Sequence, residues 1–445
     1  MPGRFWLSGL IVIAVSGCAG HAAPEQMKVR VTDPVEVAPK VSGTRAQTWA
    51  SAAWSETARA WLVAWREGCL NEDGTEIWCA RIAADGTSLD PAGIRIATGK
   101  GLRSEPKVAS DGQDWLVVWA DACNGKDWDV YACLVAQDGQ IRGKPFVLAG
   151  GEHNQCQPSV AFASGSYHVV WAAFSGSGLP NTPGTGYSLF ATRLSREGKP
   201  LTAQPVELTS NRYYQASHPC IAASGDTVVV VFMETTFIKW GKNFLNFLVL
   251  DGQSGQRKAG PLPPSKGNNN RSLGNKVTAR WSPVAGSGGK FLTLVRDVES
   301  FGGRNPYAAT LWAIAPTGSL SKTSVEIDGL MSKTAYYAPA HVALASDEEH
   351  FLLVMESLRP ADARKTSLTD RSQMGIVGWL LAAGDTPRLV HGNSKGGFPI
   401  AIEAGKDIIL PAVCAGPRST FLVVASELRG LDDIKLTARL VKVTR

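Results

Sequence analysis

Short apolar runs separated by turn chemistry recur along the chain from about residue 47 onward. The clearest unit opens on Pro106-Lys107-Val108-Ala109, turns at Ser110-Asp111-Gly112 and continues as Trp115-Leu116-Val117-Val118-Trp119. After a polar loop come Asp129-Val130-Tyr131-Ala132-Cys133-Leu134-Val135, an Asp138-Gly139 turn, and Pro145-Phe146-Val147-Leu148. β-Branched and aromatic runs of this length, bounded by Gly, Asp and Pro, predict four strands.

The second of these strands recurs at 61–65, 115–119, 167–171, 227–232, 291–295, 351–355 and 421–425, with ends 52 to 70 residues apart. A third strand follows each time, at 77–82, 130–135, 189–194, 244–249, 309–314, 376–381 and 435–440. Four-stranded repeats of this length with recurrent Trp predict an all-β fold, a seven-bladed β-propeller of four-stranded blades. A pair of β-sandwiches would not require such regular internal similarity. The last repeat reaches Arg445 after its third strand. A spare segment near the start, Asp33-Pro34-Val35-Glu36-Val37-Ala38-Pro39, looks like the fourth strands Gln204-Pro205-Val206-Glu207-Leu208 and Lys144-Pro145-Phe146-Val147-Leu148. The N-terminal strand is therefore expected to complete the last blade and remove an open edge. One closed domain, residues 33–445, results.

Residues 1–4 carry one positive charge, and 5–15 are apolar apart from Ser8 and two small gaps. That run is too short to span a bilayer and fits a signal-peptide core. It ends in Val15-Ser16-Gly17-Cys18, which resembles the lipobox of bacterial lipoproteins. An ordinary signal peptide with an incidental Cys is the alternative. The resemblance implies a signal peptide over 1–17, lipidation of Cys18 and a lipidated tether over 18–32. Ala19 stands where an Asp would resemble the inner-membrane retention signal, so the pattern implies the outer membrane, facing periplasm or surface. Membrane contact is then through acyl chains, palmitate among them. The repeats themselves resemble the tandem propeller repeats of predicted bacterial lipoproteins over nearly all of the mature chain. Repeats four to seven depart from the pattern, with Phe, Val, Met or Ala in place of the closing Trp. The resemblance brings no agreed activity.

With 445 residues, 44% of them hydrophobic, the chain has material for a large core. A net charge of +6 without any run of five like charges argues against a nucleic-acid partner. Of eight cysteines, seven follow Cys18. Cys69 and Cys79, and likewise Cys123 and Cys133, sit ten apart around the loop joining second and third strands. An oxidising compartment makes each pair a candidate disulfide. Cys156 is an alternative partner for Cys123, and Cys220 and Cys414 have no evident one. None of these spacings is that of a zinc site. Asp121, Asn124, Asp127 and Asp129 form an oxygen-rich loop, for which Asx-turn roles are expected rather than Ca²⁺. No metal and no cofactor is expected.

The long, dissimilar loops, 175–186, 235–243, 251–275, 297–306 and 357–373, fall on one face of the predicted disc. Such clustering marks the binding face of a repeat protein, although neutral loop drift gives the same pattern. On that face the chain enters the channel mouth just before each first strand. Arg103, Glu105, Gln157, Tyr213, Tyr214, His218, Tyr336 and Tyr337 lie there and are the candidate ligand-binding residues. The paired tyrosines suit sugar stacking or a protein anchor, or simply pin the loops. Glycoside cleavage needs two facing carboxylates. Glu105 and Glu234 are available, but the sequence does not pair them. Ala84-Asp85-Gly86-Thr87 is only a fragment of the sialidase Asp box, and no nucleophile elbow, zinc-protease helix or phosphate loop occurs. No catalytic residue is assigned. The expectation is a lipid-anchored, non-catalytic binding or scaffold platform for an envelope protein or glycan. A glycan-active propeller enzyme and a structural envelope spacer are the alternatives.

Overall fold

The computed structural model describes residues 27–41, 45–68, 74–175, 185–210, 214–236, 243–260, 274–275, 282–296, 309–327, 341–358, 374–384, 387–392, 396–430 and 433–445. Seven antiparallel sheets, each four strands across and three of them with a short fifth pairing, follow one another around a closed ring. Their inner strands are Gln47–Ser55, Arg103–Ser110, Gln155–Ala163, Tyr214–Ser224, Val284–Ser287, Val342–Ser346 and Asp407–Ala415. This is the seven-bladed propeller that the repeats predict.

The reason the second strands read as unbroken apolar runs is that both of their faces are covered. Every residue of Ala60–Glu67 and of Trp115–Asp121 is buried. Alternate residues serve opposite neighbours: Leu62 and Ala64 pack against the second blade, Trp61, Val63 and Trp65 against the seventh. Seven hydrophobic clusters fill the seven gaps between blades.

Tryptophan adds a directional bond to this packing. Trp61 Nε1 donates to Ala415 O of the seventh blade at 3.1 Å, and Trp115 Nε1 to Ala53 O of the first at 2.9 Å. The indole of Trp61 comes so close to Gly416 that a Cβ there would sit 2.1 Å from its Cζ2. Only glycine fits. At the other end of each strand, Trp65 donates to Glu67 at 2.8 Å and Trp119 to Asp121 at 2.9 Å.

The ring closes through the N-terminal segment. Val35–Glu36 pairs with Ala438 and Thr437, in the fourth-strand position of the seventh blade. The pairing starts earlier than expected. Lys28–Val31, inside the stretch read as tether, runs antiparallel along Val441 to Thr444. No helix among the described residues is long and apolar enough to cross a membrane.

The disulfides are where the expectation fails. Cys79, Cys123 and Cys133 are all free thiols. In the second blade Asp121 faces Asp129, and Val117, not Cys123, faces Cys133. Four residues of strand separate those two pairs, about 13 Å, and Cys123 lies beyond the far end. A disulfide needs its Cα atoms within about 7 Å. Cys79 faces Ala64, well inside the pair Glu67–Glu76, and Cys69 lies outside the described residues. The alternative Cys123–Cys156 bridge is not formed either. A thiol reagent is expected to label exposed Cys123 in the native protein but Cys79 and Cys133 only after unfolding. A bridged peptide in a non-reducing digest would contradict this.

His168 is buried in the third blade, its Nε2 donating to Gly252 O at 3.0 Å. Burial pushes it down from 6.5 to about 4. The unfolded chain thus binds an extra proton between those values. The histidine's contribution is complete above about pH 6.5 and is lost as pH falls toward 4, by about 3 kcal/mol. Denaturation midpoints measured from pH 7 to 4 should fall more steeply for the wild type than for His168→Gln.

Candidate functional site

The inner strands surround a cavity of about 280 Å³, with wall residues from all seven blades. What shapes its mouth is a repeated irregularity. In five blades the pairing of first and second strands slips, between Thr48 and Ser51, Ser104 and Lys107, Cys156 and Ser159, Ser217 and Cys220, and Ile409 and Ala412. Each slip holds one residue in the left-handed region: Trp49, Glu105, Gln157, His218 and Leu410, with φ of 58°, 56°, 55°, 54° and 54°. In four of the five a proline follows, at 106, 158, 219 and 411. Proline has no N–H for the ladder, so it is tolerated at a bulge. Side chains other than glycine cost of order 1–3 kcal/mol in such backbone. Bulges re-aim side chains, and here they set a ring of unlike residues at the mouth. Ser282, ahead of Pro283, and His341, ahead of Val342, occupy the corresponding places in the fifth and sixth blades.

The wall has two characters. Glu105, Lys107, Gln157 and Ser159, from the second and third blades, form a polar arc. The rest of the wall is mostly apolar, with Pro283, Val342, Leu410 and Val413 of the fifth to seventh blades, His341 among them, and Trp49 of the first blade. Gln157 Oε1 accepts the His218 backbone N–H at 2.8 Å, which turns its Nε2 toward His218 Nε2 at 3.1 Å. The imidazole therefore accepts at Nε2 and donates from Nδ1 to Ser217 Oγ at 2.9 Å. On the other side Trp49 and His341 meet edge to face, with centroids 5.7 Å apart. Burial pushes the Glu105 carboxyl up, against the opposing pull of Lys107, the Gln157 backbone N–H and Arg66.

Buried carboxylates stand at the ends of second strands, and Glu356 among them braces this ring from behind. Glu356 accepts the backbone N–H of His341 at 3.0 Å and of Leu410 at 2.6 Å, and its Oε1 meets His341 Nδ1 at 3.0 Å. Glu427 pairs with Lys406 and Arg429, each at 3.1 Å. Asp121 pairs with Arg103 Nε at 2.9 Å.

The candidate residues separate accordingly. Glu105 and Gln157 line the cavity, and His218 adjoins it through Gln157. Arg103 sits behind it: only 5% exposed, its Nη1 donates to the carbonyls of Thr75, Gly99 and Gly101. Tyr213, Tyr336, Tyr337 and Cys18 lie outside the described residues, as does the side chain of Tyr214. Glu234 takes a bond from Asn246, and burial raises it to about 7. It is not part of the cavity wall, so the structure does not bring Glu105 and Glu234 together there. The oxygen-rich loop is closed by Asn124, whose Nδ2 donates to Asp127 at 2.8 Å and Asp129 at 3.0 Å. Its Oδ1 accepts the N–H of Lys126 and Asp127, which fixes the amide nitrogen where a cation would sit. Among the described residues no group of three His, Cys, Asp or Glu side chains is arranged to hold a metal.

Trp49, Lys107, His341 and Leu410 were not singled out by the sequence. Leu410 is ahead of Pro411 as Glu105, Gln157 and His218 are ahead of theirs, whereas Trp49 precedes Ala50, His341 precedes Val342, and Lys107 follows Pro106.

No protein-family model matches the sequence, and no curated protein matches it. Solved structures do match. A protein of unknown function from Dyadobacter fermentans is 10% identical, covering 94% of this chain and 99% of that one, with a TM-score of 0.47. The hemagglutinin-neuraminidase ectodomain of parainfluenza virus 5 is 9% identical over 94% of this chain and 85% of that one, with a TM-score of 0.52. What is shared is the fold. A Trypanosoma rangeli sialidase is 9% identical at a TM-score of 0.46, and the match spans 80% of this chain and 56% of that one.

Proposed function

We propose that this protein is a lipid-anchored binding platform of a bacterial envelope, which holds the end of a glycan or protein ligand in its channel mouth without altering it. The observation that carries the reading is the ring itself, in which inner strands from every blade present a polar arc and a mostly apolar one to a shared cavity. A cavity of about 280 Å³ suits one small group or the tip of a larger ligand. Recognition is favoured over glycoside cleavage because Glu105 is the single carboxylate among the described wall residues, where cleavage needs a facing pair. The anchor at Cys18 and the outer-membrane location rest on Val15-Ser16-Gly17-Cys18.

The test is a glycan array and an envelope pull-down with the purified protein, followed by mass spectrometry of whatever is retained. An unaltered retained ligand is the expected result. Cleaved products would replace this reading with a glycan-active enzyme. No retained ligand of either kind would leave a spacer role.

A further inference from the structure

Two opposite charges in the channel wall attract each other without closing into an ion pair. Glu105 and Lys107 are two residues apart on one inner strand and both line the cavity. Their Cα atoms are no more than about 7 Å apart. Among the described residues no ion pair forms on either. The Glu105 side chain accepts a hydrogen bond from the Gln157 backbone N–H. Arg66, close enough to influence Glu105, is buried on the second strand of the first blade and has partners of its own. The other described wall residues include no further carboxylate, lysine or arginine: Gln157 and Ser159 stand on one side, and the apolar arc with His341, which is held by Glu356, on the other.

The geometry points to a ligand group carrying an ammonium and a carboxylate on one carbon, the zwitterion of an α-amino acid. Its ammonium binds Glu105, its carboxylate binds Lys107, and its side chain lies against Leu410, Val413 and Trp49. A neutral sugar would leave the two wall charges desolvated with only their mutual attraction to offset it, which is costly. A simple anion would leave Glu105 unmatched, and a simple cation Lys107. Only a group with both charges, held close together, answers both. The cavity, about 280 Å³, has room for one such group. The same chemistry has two sources, a free amino acid or an amino acid held in an envelope peptide by its side chain, with both α groups open. This inference rests on the channel being the binding site.

Calorimetric titration of the full chain tests it with L-leucine, leucinamide, N-acetylleucine, Nε-acetyllysine and N-acetylglucosamine. Leucine or Nε-acetyllysine is expected to bind at least tenfold more tightly than leucinamide or N-acetylleucine, the change that one lost charge-assisted bond brings. Tighter binding of leucine points to the free amino acid, and tighter binding of Nε-acetyllysine to the peptide-held one. Glu105→Gln should erase the discrimination against N-acetylleucine, and Lys107→Met that against leucinamide. The wild-type comparison decides the matter even where a variant fails to fold. Equal binding of the blocked and unblocked compounds, or binding of none, overturns the proposal. Binding of N-acetylglucosamine alone, weakened by Trp49→Ala, would overturn the ligand class and leave the channel as the site. Binding that no wall substitution changes would overturn the channel reading itself.

Discussion

Replacing Trp115 by Ala is expected to destabilise the folded protein by about 3–5 kcal/mol, the usual cost of emptying a large aromatic site in a core. The side chain is fully buried between the first and second blades, and its Nε1 donates to Ala53 O at 2.9 Å. Trp115→Phe keeps most of the apolar contact but strands that carbonyl, so it should cost about 1–3 kcal/mol. Denaturant midpoints of the two variants check both values. A loss below about 1 kcal/mol for Trp115→Ala would contradict the view that Trp61 and Trp115 staple the first and second blades to the blades before them.

The second large effect concerns Arg103. Arg103→Ala should cost about 3–5 kcal/mol, because it leaves the 2% exposed Asp121 as a buried charge without its cation. The carbonyls of Thr75, Gly99 and Gly101 lose their donor in the same step. Replacing both members of the pair, as in Arg103→Met with Asp121→Leu, should recover only the part due to the buried unpaired charge, since Trp119 Nε1 and the three carbonyls still lose their partners. Ligand affinity of the folded fraction is expected to stay the same, because Arg103 stands behind the channel wall. A loss of affinity without a loss of stability would instead place Arg103 in the site.

The blade architecture was legible because burial on both faces leaves an apolar run at each second strand, and the run recurs once per blade. Trp61, Trp65, Trp115 and Trp119 marked it most clearly, since each indole needs both an apolar gap and an acceptor. The closing strand was only half legible. Val35 and Glu36 copy the fourth-strand phrase, whereas Lys28–Val31 is four residues with two exposed cations, too short to stand out from a tether. The disulfides failed for a geometric reason. Equal spacing in two hairpins says nothing about where each hairpin turns, and the turn in the second blade puts Val117 opposite Cys133.

The channel ring was harder to read. Trp49, Glu105, Gln157, His218 and Leu410 share no chemistry; what they share is a left-handed backbone imposed by a slipped strand pairing. The four prolines that follow were the visible trace. Glu105, Gln157 and His218 were found through their place at the channel mouth. Leu410 was missed although Pro411 follows it, and Trp49 and His341, followed by Ala50 and Val342, lack even that trace.

The most direct test of the account is an envelope pull-down comparing the wild type with Trp49→Ala/Gln157→Ala, which alters the two walls of the mouth, and with Val147→Ser on the outer rim. Mass spectrometry would quantify the retained ligand and any product. The account predicts an unaltered ligand on the wild type and on Val147→Ser, and a loss of at least tenfold, about 1.4 kcal/mol, on the ring variant. Equal retention by all three proteins, with the ring variant folded, would contradict it.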